Sequence, residues 1–257
     1  IYMEVNMKVI VIGAGQMGGG IAQVMASIGK TTYLNDVDID LVNKRLAFIE
    51  SILAKDVSKG RISVEQKAAA LSNLNPSVDL GDAAECDIAI EAAVEKMEVK
   101  AEIFKKLDLI TKPSCVLATN TSSLPITRIA ACTRRPEKVI GMHFTNPVPV
   151  MKLVEIIRGQ STDEETYTFV RDLALEMGKT PVLVRDVPGF VANRILQVMI
   201  NEAIYCLSEG VASAEDIDTV MKLGMNHPMG PLQLADLIGL DTILSILEVM
   251  HAGYGDP

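Results

Sequence analysis

The sequence predicts an α/β protein, a doubly wound, mostly parallel sheet with helices on both faces, followed by a smaller all-helical domain. Three observations carry this: an apolar run into glycines at G-x-G-x-x-G spacing over residues 9–18, strand-like runs alternating with helical stripes as far as Val184, and no strand signal after Pro188. The expected domains are therefore 1–187 and 188–257.

Val9-Ile10-Val11-Ile12 reads as a strand buried on both faces, and Gly13-Ala14-Gly15-Gln16-Met17-Gly18 leads from it into a helix. In such a turn Gly13 makes the tight bend, Gly15 lets the backbone approach a pyrophosphate and Gly18 brings the helix against the strand. The helix N-terminus then offers N–H groups and a partial positive charge to phosphates. A second strand, Thr31 to Leu34, ends at Asn35-Asp36, so a carboxylate stands 18 positions beyond Gly18, where it accepts hydrogen bonds from an adenosine ribose. The plain alternative is a βαβ unit with an exposed Asp in a turn. Taken together, the pattern is that of a Rossmann-type dinucleotide-binding domain. Asp36, with Asp38 nearby and no arginine directly after the strand, favours NAD over NADP; Lys30, on the preceding turn, softens that preference and leaves NADP possible.

Composition narrows the partners. With 257 residues, 49% hydrophobic and 22% charged, the chain has ample core and a soluble, globular make-up. A net charge of −9 argues against nucleic acid or an anionic membrane surface, so an anionic substrate needs a local basic patch. No run approaches a membrane span and no signal pattern opens the chain; Ile1 to Asn6, ahead of Met7-Lys8, has the look of a leader or an appended remnant. Cys86, Cys115, Cys132 and Cys206 are widely spaced in mostly apolar segments and read as reduced small hydrophobes, not as metal ligands or bridges, which suits a cytoplasm.

Along the chain, residues 37–58 and 64–71 read as helices, and Lys55 and Lys59 share one face of the first at i, i+4 spacing. Two solvated surface lysines are the ordinary reading of that pair. Strands follow at 87–92 and 115–119, with a helix between them whose apolar stripe is Val99, Ile103, Leu107 and Ile110. The cluster Asn120-Thr121-Ser122-Ser123 after the second strand is ordinary N-cap chemistry for a helix beginning near Leu124-Pro125, and it also sits where ligands meet such sheets. Strands at 138–144 and 152–157 come next. Alternation puts Leu153, Glu155 and Ile157 on one face, and a carboxylate in that apolar row is costly unless paired. His143, one of only three histidines, ends the preceding strand, so pairing the two strands through the Asn146-to-Pro149 turn brings imidazole and carboxylate together. A carboxylate there orients the ring and fixes its tautomer, as a general acid/base requires; a structural histidine is the alternative. A helix over 162–177 and a strand over 180–184 close the first domain. Helices over 190–208, 213–223 and 231–250 then form the second. In the first of these Leu196, Met199, Ala203 and Leu207 form a stripe that Asn193 extends with an inward amide; His227 is placed in a loop, and neither it nor His251 is given chemistry.

From Lys8 onward the chain resembles the short-chain L-3-hydroxyacyl-CoA dehydrogenases, most closely the bacterial 3-hydroxybutyryl-CoA enzymes. The likeness is carried by the glycine turn, by Asn120-Thr121-Ser122-Ser123-Leu124, by the unbroken run His143 to Glu155, by Asp186 to Arg194, and by Pro228-Met229-Gly230-Pro231-Leu232. The resemblance implies reversible hydride transfer between a nicotinamide coenzyme and 3-hydroxybutyryl-CoA or acetoacetyl-CoA. It implies His143 as acid/base with Glu155 orienting it, and Ser122 and Asn193 hydrogen-bonded to the reacting oxygen. It implies Asp36, Glu95, Lys100 and Asn146 at the coenzyme, Lys55 and Lys59 at the phosphates of coenzyme A, and a homodimer through the helical domain. It also implies a further helix and terminal segment beyond Gly255-Asp256-Pro257, so the helical domain is expected to be incomplete at its C-terminus. Two rivals stand beside it. One is another Rossmann hydroxy-acid dehydrogenase, disfavoured because no lysine lies between Pro188 and Leu207; the other is a non-catalytic NAD-binding relative.

Overall fold

The computed structural model describes residues 7–255; the expected leader, residues 1–6, lies outside the described residues. The chain divides into two compact units, Ile1–Thr121 with Pro125–Asp186 and Ser122–Leu124 with Val187–Pro257.

The first unit is built on one eight-stranded sheet. Its strands are β1 Lys8–Ile12, β2 Thr31–Asn35, β3 Leu74–Ser77, β4 Ile88–Glu91, β5 Val116–Thr119, β6 Val139–Phe144, β7 Leu153–Arg158 and β8 Thr180–Arg185, in the order β3-β2-β1-β4-β5-β6-β7-β8. All pairs are parallel except β6 with β7. β1 lies between β2 and β4, so the chain leaves it toward opposite edges in turn, and a crevice opens at the carboxyl ends of β1 and β4. Four of the five residues of β1 are buried, as a strand covered on both faces demands.

The helices of this unit are α1 Gln16–Ser27, α2 Ile39–Ser58, α3 Val64–Ser72, α4 Met97–Ile110, α5 Ile126–Ala130 and α6 Glu164–Glu176. Asp38 caps α2 by accepting from the Asp40 N–H at 2.9 Å, which starts the helix two residues later than its sequence pattern suggests. Two further expectations are corrected. β3 is a strand that the sequence reading passed over, because Pro76 sits inside it; β3 is an edge strand bonded only to β2, where a missing N–H is tolerated. The buried line of α4 is Lys100, Phe104 and Leu107, which shares only Leu107 with the predicted Val99, Ile103, Leu107, Ile110. Burying a large apolar side chain is worth about 1.5–3 kcal/mol, so the helix turns Phe104 inward, and Lys100, one turn before it, goes in as well.

The second unit holds α7 Ala192–Ser208, α8 Ala214–Gly224, α9 Pro231–Ile238 and α10 Leu240–Tyr254, with Ile200, Ala235 and Ile243 at its centre. The single helix expected over 231–250 is two, because Gly239 has φ 97° and breaks the ladder. The stripe of α7 is corrected in part: Asn193 and Ala203 are buried as expected, Gln197 and Ile200 join them, and Leu207 is exposed. Asp218 receives the Leu232 and Gln233 N–H groups at 2.8 and 2.9 Å and so holds the start of α9.

Candidate active site

At the carboxyl ends of β1 and β4 the glycine turn takes the form its spacing requires. Gly13 has φ 109° and donates its N–H to the Asn35 carbonyl at 2.7 Å, and a Cβ there would meet the Ala92 carbonyl at 2.5 Å. A Cβ on Gly18 would lie 1.8 Å from the Gly13 carbonyl oxygen, whereas one on Gly15 would meet nothing within 4 Å: the first position is closed by packing and the second opens to the crevice.

The crevice is a cleft of about 1220 Å³, lined by Gly13 to Met17, by Asp36, and across from them by Ala92 to Val94, Val99 and Ile103. The α4 residues displaced from the core thus serve as a cleft wall. Asp36 is fixed before any ligand arrives, since its Oδ2 accepts the Ala14 N–H and its Oδ1 the Val37 N–H, both at 2.7 Å. An open glycine backbone at a helix N-terminus beside an oriented carboxylate fits a dinucleotide, with the turn facing its phosphates and Asp36 its ribose.

Asn146, Lys100 and Glu95, also expected at the coenzyme, are not in the cleft lining themselves. The exposed Asn146 accepts a hydrogen bond from Gln16 Nε2 at 3.0 Å, tying the β6–β7 loop to the start of α1. Lys100, by contrast, is 1% exposed and stands behind the cleft wall. Its Nζ lies 2.7 and 2.9 Å from the two oxygens of buried Glu91 and 3.3 Å from Glu95. Glu91 also accepts from Thr119 Oγ1 at 2.6 Å and the Ala93 N–H at 2.7 Å, and Glu95 accepts from the Thr121 hydroxyl. The buried ammonium therefore braces the loops after β4 and β5 and is no cleft-lining contact. Lys30, expected to soften coenzyme choice, is buried and paired with Glu176 at 2.6 Å. It precedes β2, at the end of that strand opposite Asp36.

β6 and β7 pair antiparallel with His143 directly opposite Glu155. Their side chains meet: His143 Nδ1 lies 2.7 Å from Glu155 Oε2, with the carboxylate buried at 2% exposure and the ring partly buried. Sequence reasoning missed two residues that hold this strand pair. Buried Asn120 accepts the Phe144 N–H at 3.0 Å, next to His143. Buried Lys179 donates to the Val148 and Met151 carbonyls of the intervening loop, and burial pushes its ammonium pKa down. The 120–123 cluster does not cap α5. That helix receives the Asp186 carboxylate on its Ile126 and Thr127 N–H groups at 2.9 and 2.7 Å, freeing Asn120 for β6 and Thr121 for Glu95.

In the second unit Asn193 is buried in α7, where its Nδ2 donates to the Ser122 carbonyl at 3.1 Å and its Oδ1 accepts from Gln197 at 3.3 Å. Lys55, in the last turn of α2, and Lys59, just past it, are both exposed. Among the described residues neither has a carboxylate at ion-pair distance. No helix among the described residues is long and apolar enough to cross a membrane.

Comparison with known proteins agrees with this geometry. The profile of the 3-hydroxyacyl-CoA dehydrogenase NAD-binding domain matches residues 8–187, and that of the family's C-terminal domain matches residues 189–257. The chain is 56% identical over 254 residues to a probable 3-hydroxybutyryl-CoA dehydrogenase of Bacillus subtilis, covering 99% of this chain and 88% of that protein. It is 53% identical over 249 residues to the 3-hydroxybutyryl-CoA dehydrogenase of Bradyrhizobium diazoefficiens, covering 97% and 85%. The crystal structure of (S)-3-hydroxybutyryl-CoA dehydrogenase from Ralstonia eutropha superposes with a TM-score of 0.96 at 46% identity, covering 98% of this chain and 89% of that one. A glycine turn beside an oriented carboxylate, two matched domains and relatives above half identity lead to one conclusion: the chain belongs to the 3-hydroxyacyl-CoA dehydrogenase family and is an NAD-binding oxidoreductase.

Proposed function

We propose that this chain interconverts (S)-3-hydroxybutyryl-CoA and acetoacetyl-CoA, with the His143 and Glu155 pair as its acid/base. The observation that carries the reading is the 2.7 Å contact between His143 Nδ1 and Glu155 Oε2. With Nδ1 committed to the carboxylate, Nε2 is the nitrogen that exchanges a proton with substrate. In the oxidative direction it takes the C3 hydroxyl proton as hydride leaves C3, and in reverse it returns that proton to the oxygen. Glu155 stays ionised and stabilises the imidazolium formed on the way. The nicotinamide coenzyme, when bound along the glycine turn and Asp36, supplies the hydride acceptor or donor. Ser122 and Asn193 are assigned to the reacting oxygen, and Lys55 and Lys59 to the phosphates of coenzyme A. These four assignments rest on family resemblance, and the two lysines are in addition exposed and, among the described residues, have no carboxylate at ion-pair distance.

The test is His143→Ala, assayed by NADH oxidation on adding acetoacetyl-CoA. Losing a general acid/base lowers turnover by about 10²- to 10⁴-fold, while NADH binding, followed by its fluorescence, stays within about threefold of wild type because His143 is outside the dinucleotide cleft lining. Near wild-type turnover would remove His143 from the mechanism.

A further inference from the structure

Gln197 stands where polarity is costly. It lies one turn beyond Asn193 on α7, is 1% exposed, and shares the buried face of that helix with Ile200 and Ala203. Glutamine is mostly a surface residue, and an apolar side chain is the ordinary occupant of such a position. Its amide is also only half satisfied. Nε2 donates to Asn193 Oδ1 at 3.3 Å, while Oε1, among the described residues, has no hydrogen-bond partner. A buried acceptor left unpaired lowers stability. What the glutamine supplies is a single hydrogen bond, and it goes to Asn193.

The orientation of both amides follows from one backbone carbonyl. The Ser122 carbonyl can only accept, so the end of the Asn193 amide that meets it at 3.1 Å is Nδ2. Oδ1 then faces Gln197, where it needs a donor, so Gln197 presents Nε2. Reversing either amide would set acceptor against acceptor. Of the two N–H groups on Asn193 Nδ2, one is committed to Ser122 and the other has no partner among the described residues. A donor to Oδ1 also draws charge through the amide and strengthens those N–H groups, since hydrogen bonds in a chain polarise one another. As hydride adds to the C3 carbonyl, negative charge develops on its oxygen, and an N–H held in place for that charge stabilises it more than one free to turn away.

We propose that Gln197 is a positioning residue for this reaction: its bond to Oδ1 locks the Asn193 amide so that Nδ2 is the end offered to the reacting oxygen, and makes that end a stronger donor. This rests on the assignment of Asn193 to that oxygen under the proposed function. A residue kept for packing destabilises the fold when it is replaced, whereas one kept for positioning at the expense of an unpaired acceptor does not.

The experiment takes the full chain, Gln197→Met, Asn193→Ala and the double variant through NADH oxidation with acetoacetyl-CoA and through thermal unfolding. Methionine is close to glutamine in length and leaves no unpaired oxygen. Gln197→Met is expected to lower kcat about tenfold, to leave KM for NADH within about threefold of wild type, and to unfold at or above the wild-type temperature. Asn193→Ala is expected to lower kcat by about 10²-fold. In that background there is no amide to hold, and adding Gln197→Met is expected to change kcat by less than about twofold. A Gln197→Met kcat within twofold of wild type would overturn the proposal. So would an equal loss in both backgrounds, which makes Gln197 act independently of Asn193, or a lowered unfolding temperature, which makes it a packing residue. A wild-type kcat in Asn193→Ala would instead withdraw Asn193 from the reacting oxygen, a separate failure that takes this proposal with it.

Discussion

Glu155 sits in the interior of a β-strand at 2% exposure, between Val154 and Ile156, both fully buried. A carboxylate in that setting costs several kcal/mol unless something meets it, and the imidazole of His143 does. Glu155→Gln, nearly the same shape, keeps the strand packed but removes the negative charge that holds a protonated ring. Turnover is expected to fall by about 10²-fold, with KM for the coenzyme little changed; a kcat within threefold of wild type would show that the carboxylate is structural only. This pair was legible in the sequence because alternation fixes which face Glu155 takes and a short turn fixes what lies opposite. Asn120 and Lys179 were not. Each acts on backbone groups 24 to 31 positions away in sequence, and a bond to another strand's N–H or carbonyl leaves no pattern in side-chain spacing. The burial of Lys100 was not legible either: it follows from the burial of Phe104 one turn on, which puts the ammonium against Glu91.

Among the elements, those with long periodic patterns were readable, and several ends fall within a residue of the pattern, as at Ser58 of α2 and over Val64–Ser72 of α3. The mostly parallel, doubly wound sheet follows from alternating strands and helices, whereas β3 is disguised by Pro76 and the α9–α10 break rests on the backbone of Gly239 alone. Carboxylates hold the starts of α2, α5, α6 and α9, and α6 gives a measurable case. Asp163 accepts the Thr166 N–H at 2.7 Å and pairs with Lys138 Nζ at 3.1 Å. Burial pushes its carboxyl pKa up, but hydrogen bonding by Thr166 and Lys138 outweighs this and holds it below its ordinary value. A carboxyl depressed in the folded state stabilises fully above its unfolded value near ~3.9, and that contribution is lost as pH falls through the lower folded value. Asp163→Ala is therefore expected to cost about 1 kcal/mol at pH 7 and progressively less below about pH 4. Urea unfolding of both proteins across that range checks it, and a cost that grows as pH falls would contradict the assignment.

At the scale of the molecule the second unit presents large apolar side chains to solvent. Ile195, Val198 and Tyr205 on α7, Leu223 on α8, Leu237 on α9 and Leu244 on α10 are all exposed, Leu223 at 82%. Single exposed leucines are ordinary, but an array over all four helices leaves much of this unit's apolar area in water. At about 25 cal/mol per Å², covering such a face against its own copy returns stability that four short helices lack alone. The exposed residues support the homodimer that family resemblance implies, and the symmetry of a two-fold contact makes each substitution count twice. In analytical ultracentrifugation the chain is expected to sediment at twice its 27.7 kDa. Leu223→Lys combined with Ile195→Lys should shift it to the monomer and lower its unfolding temperature. Coenzyme binding in the first unit's cleft, to which neither residue contributes, should persist. Wild-type protein sedimenting as a monomer at tens of micromolar would leave that apolar face without its partner and remove the dimer from the description of this enzyme.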